Sequence, residues 1–109
     1  MRTIPVSNVA ATPEDAQAKV LRALARVGMR VKLTNTLAKY PGSQHWHIVM
    51  PGAKGTLELT YLPRSGKAWF AIHANREGEW IGEVLPALIA ALHREIGHSM
   101  LCPYLRYML

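Results

Sequence analysis

Cysteine, acidic residues and long apolar runs are all scarce in this sequence. Its 109 residues include a single cysteine, Cys102, so no disulfide can form within the chain, which fits a reducing compartment. No apolar run approaches the roughly 20 residues of a membrane-spanning helix. Residues 1–11 lack the charged start and long apolar core of a signal peptide. We therefore expect a cytoplasmic protein with no membrane partner.

The shortage of acidic residues makes the chain basic. Seven aspartates and glutamates stand against 13 lysines and arginines, which sets the formal net charge at +6. A charge of this sign favours an anionic partner such as nucleic acid, although many basic domains are simply well solvated. Half of the residues are apolar, which is typical of a globular chain. We predict a single α+β domain over residues 1–109, with an N-terminal arm (1–11) and a C-terminal tail (98–109).

Three short runs between Gln44 and Ile72 alternate apolar and polar residues and are joined by proline- and glycine-containing turns at 51–55 and 63–66. This pattern predicts a β-meander of antiparallel strands, because turns this short cannot make a parallel crossover. One face of the meander is apolar. The other face is mixed and collects His45, His47, Glu58, Thr60, Lys67, Trp69 and His73.

An amphipathic helix is predicted on each side of the meander. The first begins at Thr12-Pro13 and stops at Gly28, and a strand follows over Met29–Thr34. Residues 35–43 either continue that strand or form a loop. The second helix begins near Glu79 or near Glu83, depending on how it accommodates Pro86, and ends at Gly97.

These elements predict a two-layer sandwich of helix, β-meander and helix, with three to four antiparallel strands and an apolar C-terminal tail. Both helices would cover the apolar face of the sheet, so the mixed face would stay open. Pro5 restricts the N-terminal arm to an edge strand or a loose segment. The tail carries Tyr104, Leu105, Tyr107, Met108 and Leu109, and we expect it to dock on its own domain or on a partner subunit.

Two groups of residues are candidates for nucleic-acid binding. Trp69 on the mixed face could stack on bases or form a dimer contact. Five cations fall within fourteen residues, where they form either a solvated face or a phosphate-binding stripe. They are Lys19, Arg22, Arg26, Arg30 and Lys32.

The histidines of the mixed face are the candidates for chemistry. Imidazole titrates near neutrality, so they could act as general acid and base. His45 and His47 could also chelate a metal with Glu58 or His73, but a His-x-His pair on a strand more often belongs to an ordinary polar face. No glycine loop for phosphate and no paired-carboxylate motif occurs, and we assign no cofactor and no metal.

The order of several short motifs resembles the HicA family of mRNA-cleaving toxins. These motifs are a helix closed by Gly28, a basic strand, Gly42-Ser43-Gln44-His45 opening an apolar strand, Pro51-Gly52, and His73-Ala74-Asn75-Arg76-Glu77 before a helix that ends in Gly97. The resemblance implies a fold like the double-stranded-RNA-binding domain and a histidine that acts on the RNA backbone. Gln44 stands directly after Gly-Ser, where the family has its histidine, so this role would pass to His45. The chain also carries an additional strand's worth of residues over 58–72.

The leading hypothesis is therefore a small, basic, cytoplasmic module that binds RNA. One alternative is a non-catalytic protein that forms homo-oligomers through the open face or the tail. Another is a HicA-like ribonuclease in which His45 and His73 are catalytic. Whether the protein is an enzyme is left open.

Overall fold

The computed structural model describes residues 1–6 and 13–97 of the chain. Within them, the chain forms five strands and two α-helices. The strands are β1 (Arg2–Val6), β2 (Arg30–Asn35), β3 (Gln44–Val49), β4 (Leu57–Leu62) and β5 (Lys67–Ile72), and the helices are α1 (Pro13–Arg26) and α2 (Glu79–Leu92). A 3-10 turn over Ala74–Arg76 precedes α2, and a π-helical segment over His93–Gly97 follows it.

All five strands belong to one antiparallel sheet in the order β1-β5-β4-β3-β2. The fold class is therefore α+β, as the sequence predicts, with five strands where three to four were expected. The additional strand is the N-terminal arm, which pairs with β5 at the edge of the sheet, where Pro5 is tolerated. Residues 36–43 form a loop and do not continue β2.

The core lies between one face of the sheet and the two helices. Trp46, Ile48 and Phe70 are fully buried on that face, and Val20 and Leu88 are fully buried on the helices. The register of the meander is confirmed, because Trp46 pairs with Leu59 and Leu59 pairs with Phe70 across the three strands. The apolar periodicity of the strands and helices predicts eight core residues, of which seven are buried and Val27 packs against the cluster from its margin. They are Leu24, Val27, Leu57, Leu59, Phe70, Leu85, Leu88 and Leu92.

Helix α1 ends where its glycine predicts. Gly28 has φ of 75°, a left-handed conformation that glycine adopts without a steric penalty. The amides of Val27 and Met29 then both donate to the carbonyl of Leu24, at 3.1 and 3.0 Å, which satisfies the end of the helix.

Helix α2 begins at Glu79, so Pro86 lies inside it. A proline at this position leaves the carbonyl of Gly82, four residues earlier, without its helical donor. Gly82 and Pro86 are both exposed, so water can donate a hydrogen bond to the carbonyl of Gly82 instead. The regular helix ends at Leu92, five residues before the expected stop at Gly97, and the interval is the π-helical segment.

No helix among the described residues is both long and apolar enough to cross a membrane. The predicted docking of the tail concerns residues 104–109, which lie outside the described part of the chain.

Candidate functional site

The sheet face opposite the helices collects the polar residues that the alternation predicts. His45 and His47 of β3 lie beside Thr60 and Glu58 of β4, respectively, and His73 follows β5. Each of them alternates with a core residue, so the strands that bury Trp46 and Leu59 on one side must present histidine, threonine and glutamate on the other. We call this surface the open face.

The loop 36–43 folds over part of the open face. The ring of Tyr40 packs edge-on against Trp69, with 5.1 Å between the centroids and an interplanar angle of 68°. The amide of Leu37 donates to Ser43 Oγ at 3.1 Å, and Ser43 is itself buried. Trp69 is consequently half-buried, which reduces the ring area available for stacking on a base.

Glu58 occupies the centre of the uncovered part. Its Oε1 lies 3.0 Å from His45 Nε2 and 3.8 Å from His47 Nε2. Its Oε2 lies 3.0 Å from His73 Nε2 and 3.6 Å from a terminal nitrogen of Arg76. Three imidazoles and one guanidinium thus surround a single carboxylate whose side chain is only 9% exposed. We call these five residues the Glu58 cluster.

His45 is the most buried histidine of the Glu58 cluster and is held at both ring nitrogens. Its Nδ1 lies 2.7 Å from Thr60 Oγ1, while Nε2 faces Glu58. A carboxylate only accepts hydrogen bonds, so Nε2 carries the proton and the threonine hydroxyl donates to Nδ1 when the ring is neutral. The fixed strand register therefore sets the orientation of this ring.

Burial shifts the protonation of two of these histidines. It lowers the pKa of His45 below its ordinary value of 6.5, although the Glu58 carboxylate acts in the opposite direction. Burial also lowers the pKa of His47, with His45, Arg76 and His73 adding smaller effects of the same sign against the attraction of Glu58. Both rings therefore favour the neutral form at neutral pH.

Arg76 reaches the Glu58 cluster from the 3-10 turn. The turn is closed by a hydrogen bond from the amide of Arg76 to the carbonyl of His73, at 2.9 Å, and tied to β4 by the amide of Thr56, which donates to the carbonyl of Arg76. A terminal nitrogen of Arg76 also lies 3.5 Å from His47 Nδ1. Sequence reasoning missed this arginine. The spacing of three between His73 and Arg76 suits one 3-10 turn, but nothing in the sequence shows that such a turn forms there.

The Glu58 cluster lies at the base of a shallow cavity of about 360 Å³, which Asn35, Leu37 and Asn75 also line. A larger cavity of about 730 Å³ lies at the start of α2 and is lined by Glu77, Glu79 and Glu83. Lys54 also lines the larger cavity, but no histidine does. Imidazole is the side chain best suited to acid–base chemistry near neutral pH, so the smaller cavity is the better candidate for a functional site.

The five predicted nucleic-acid-binding cations fall into two groups. Arg30 and Lys32 are exposed on β2, where Arg30 pairs with Val49 and so faces the open side. Arg22 and Arg26 belong to α1 in the other layer, and both contact Glu95, at 3.1 and 3.4 Å. Lys19, also on α1, is half-buried. The five cations are close together in the sequence, but the structure divides them between the helical layer and the sheet.

Comparison of the chain with protein-family models, with curated proteins and with solved structures finds no match.

Proposed function

We propose that the protein binds RNA, with the open face and its basic rim as the contact surface. The observation that carries this proposal is the distribution of charge over the sheet. Glu58 is the only acidic residue on the five described strands, and His45, His73 and Arg76 surround its carboxylate. Arg30 and Lys67 are exposed on strands either side of the Glu58 cluster. A polyanion can therefore approach this face without meeting an uncompensated carboxylate.

Contacts between these cations and phosphates would account for affinity but not for the reading of bases. Arg76 lines the cavity, and Lys39 is exposed on the loop that covers Trp69. Together with Arg30 and Lys67, these two residues make up the basic rim. Arg22 and Arg26 are less suited to this role, because Glu95 already neutralises part of their charge. With RNA as the ligand we also propose a cytoplasmic location, which the low cysteine content favours.

A salt titration of binding to a mixed RNA pool tests the proposal. The logarithm of the association constant should fall linearly with the logarithm of salt concentration, because each phosphate contact releases condensed counterions. Each contact should contribute a little under one to the slope. No detectable binding below about 100 μM at near-physiological ionic strength would be weaker than ordinary non-specific contacts and would contradict the proposal.

Two double variants identify the surface that binds. Arg30→Gln with Lys67→Gln removes two charges from the open face, and Arg22→Gln with Arg26→Gln removes two from the helical layer. Since both lower the net charge by two, a purely global effect of charge would weaken binding equally. The proposal expects the open-face variant alone to flatten the salt slope, by a little under two. Equal losses, or a larger loss from the α1 variant, would exclude the open face as the contact surface.

RNA cleavage is a second candidate, favoured by the presence of titratable rings on both sides of one carboxylate. In such a reaction a base removes the proton of the 2′-hydroxyl, the oxygen attacks phosphorus, and an acid gives its proton to the departing 5′-oxygen. A 2′,3′-cyclic phosphate remains. The side chain of His73 is 40% exposed, so it can reach a substrate while it contacts Glu58. The side chain of His45 is only 4% exposed and has little access to one.

Cleavage is checked with an RNA oligonucleotide and a matched oligonucleotide that carries a single 2′-deoxy substitution. The wild-type protein should cleave only the first, and His73→Ala should lose cleavage while the salt dependence of binding is kept. Cleavage of the deoxy-substituted site, or activity retained by His73→Ala, would contradict this mechanism. Absence of cleavage by the wild-type protein would remove the second candidate and leave the binding proposal in place.

Homo-oligomer formation through the open face is the competing proposal, because it would use the same surface. Leu33 of β2 is 46% exposed and pairs with His47, so an apolar side chain stands at the border of this face. Sedimentation equilibrium with and without RNA separates the two ideas. RNA that dissociates an oligomer would show that both partners use one surface, whereas an oligomer that is indifferent to RNA would have its interface elsewhere.

A further inference from the structure

We propose that His45 and His47, together with Glu58, form a binding site for a divalent transition metal of the zinc class. One ligand atom from each of these residues can be chosen so that all three lie within 4.8 Å of one another. Ligand atoms about 2.0–2.1 Å from a tetrahedral zinc ion are roughly 3.4 Å apart. The two measured separations from Glu58 Oε1 to the imidazole Nε2 atoms, 3.0 and 3.8 Å, lie on either side of that value. Both separations are therefore close to what a shared zinc ion requires.

The identities of the donors select the class of metal. Two imidazole nitrogens and one carboxylate oxygen suit zinc and its neighbours in the transition series, whereas magnesium and calcium prefer sites made of oxygen. The same donor set, two histidines and one glutamate, leaves a fourth position for water or a substrate in zinc enzymes. Here that position would face the shallow cavity beside Asn75 and Arg76.

The surroundings of the ligands support a built site. His47 and Glu58 are paired across β3 and β4, and His45 is paired with Thr60, so the sheet backbone holds all three ligands in register. Thr60 is 1% exposed and lies against His45 Nδ1. When the metal takes His45 Nε2, the ring proton moves to Nδ1 and the threonine oxygen accepts it, since a hydroxyl can donate or accept. A hydrogen-bonded second nitrogen is the usual arrangement for a histidine ligand.

His73 and Arg76 act on the other carboxylate oxygen. Because His73 Nε2 lies 3.0 Å from Oε2, it orients Glu58 and leaves Oε1 for the metal. We therefore assign His73 as a positioning residue and not as a ligand. Arg76, at 3.6 Å from Oε2, places a positive charge beside the cation and lowers its affinity, while favouring an anionic group in the fourth position.

None of the three proposed metal ligands belongs to the basic rim, so the metal site does not rest on the RNA-binding proposal. Arg76 is the one residue that the rim shares with the Glu58 cluster. Metal occupancy does bear on cleavage: a metal at Nε2 of His45 and of His47 removes both rings from acid–base roles. His73 would then remain as the available imidazole of the Glu58 cluster.

Titration of the untagged, chelator-treated full chain with Co²⁺ tests the site, because cobalt replaces zinc in such sites and reports its ligand geometry by visible absorption. We expect one equivalent to give an intense d–d band that Zn²⁺ abolishes. Glu58→Gln and His47→Asn should each weaken Zn²⁺ binding by about 100-fold or more, and His73→Ala by about 10-fold with the band retained. Isothermal titration calorimetry with Zn²⁺ alone supplies the affinities.

Glu77→Gln and His93→Gln are the matched controls, since they remove the same chemical groups outside the Glu58 cluster and should leave affinity and stoichiometry unchanged. Circular dichroism establishes that each variant is folded. Glu58 and His47 lie on different strands, so either variant decides the outcome if the other does not fold. Wild-type binding no tighter than that of the folded Glu58→Gln or His47→Asn protein would overturn the proposal. A stronger loss in either control would overturn it as well.

Discussion

At the scale of single residues, Glu58 decides the character of the open face. It is a buried carboxylate on the central part of the sheet, and such a group is costly unless it is paired and hydrogen-bonded. His45 and His73 each lie 3.0 Å from it and supply those bonds. A substitution that removes the Glu58 carboxylate would leave three imidazoles and one guanidinium without the negative charge they share.

The histidines beside Glu58 predict a pH dependence of stability in chelator-treated protein. Burial lowers the pKa of His45 and His47 below 6.5, so the unfolded chain binds more protons than the folded one just below that pH. The contribution of these two histidines to the free energy of unfolding is complete above about pH 6.5. It is lost as the pH falls toward the lower pKa that each ring has in the folded protein. The charges that act on these two rings are those of Glu58 and His73, together with Arg76 and His45 in the case of His47.

Urea unfolding at about pH 7.5 and about pH 5.5 measures this effect, and the free energy of unfolding should be smaller at the lower pH. His47→Gln, which cannot titrate, should show a smaller difference between the two conditions. Equal stability of the wild-type protein at both pH values, or an unchanged difference in His47→Gln, would contradict the prediction.

At the scale of elements, α2 shows that an apolar face can outweigh an unfavourable backbone residue. Pro86 lies inside the helix, yet Ile81, Leu85, Leu88 and Leu92 are all buried against the sheet. Most helical stability in proteins comes from such packing and not from intrinsic propensity. The start of α2 is fixed separately, by Trp80 Nε1, which donates to the carbonyl of Lys54 at 2.8 Å.

Leu88→Ala tests the packing of α2. Leu88 is fully buried, so the substitution should destabilise the protein by about 2–5 kcal/mol through lost transfer energy and a residual cavity. Leu21→Ala on α1 is the matched control, because Leu21 is 43% exposed and its truncation should cost less than about 0.5 kcal/mol. Urea midpoints of the two variants give the comparison, and similar midpoints would show that α2 does not pack as described.

At the scale of the whole molecule, net charge is a poor guide to where a polyanion binds. The chain carries +6, but its acidic residues are unevenly placed. Three glutamates lie around the start of α2, namely Glu77, Glu79 and Glu83. Glu95 faces α1, and Glu58 is the only acidic residue on the described strands. The layer that holds Arg22 and Arg26 is consequently closer to neutral than its arginines suggest. The two double variants measure this difference directly.

The sequence by itself determined the class of fold, the register of the meander and the residues of the open face. Those features depend on local patterns: alternation with period two, helical periodicity, and glycine at the end of α1. Trp46 and His47 are neighbours in the chain, and once one is buried the pleat of the strand requires the other to face the opposite side. No long-range information is needed for that inference.

Only the tertiary structure decided which of those residues meet. Residues 35–43 could not be assigned from the sequence, because turn residues and a weak apolar pattern compete there. In the structure β2 ends at Asn35 and residues 36–43 form a loop, in which Tyr40 packs against Trp69 of β5. Arg76 reaches Glu58, and Glu95 reaches both Arg22 and Arg26, across separations that no periodicity spans. An ion pair depends on distances set by the whole packed fold, whereas periodicity reports only which side of its own element a residue occupies.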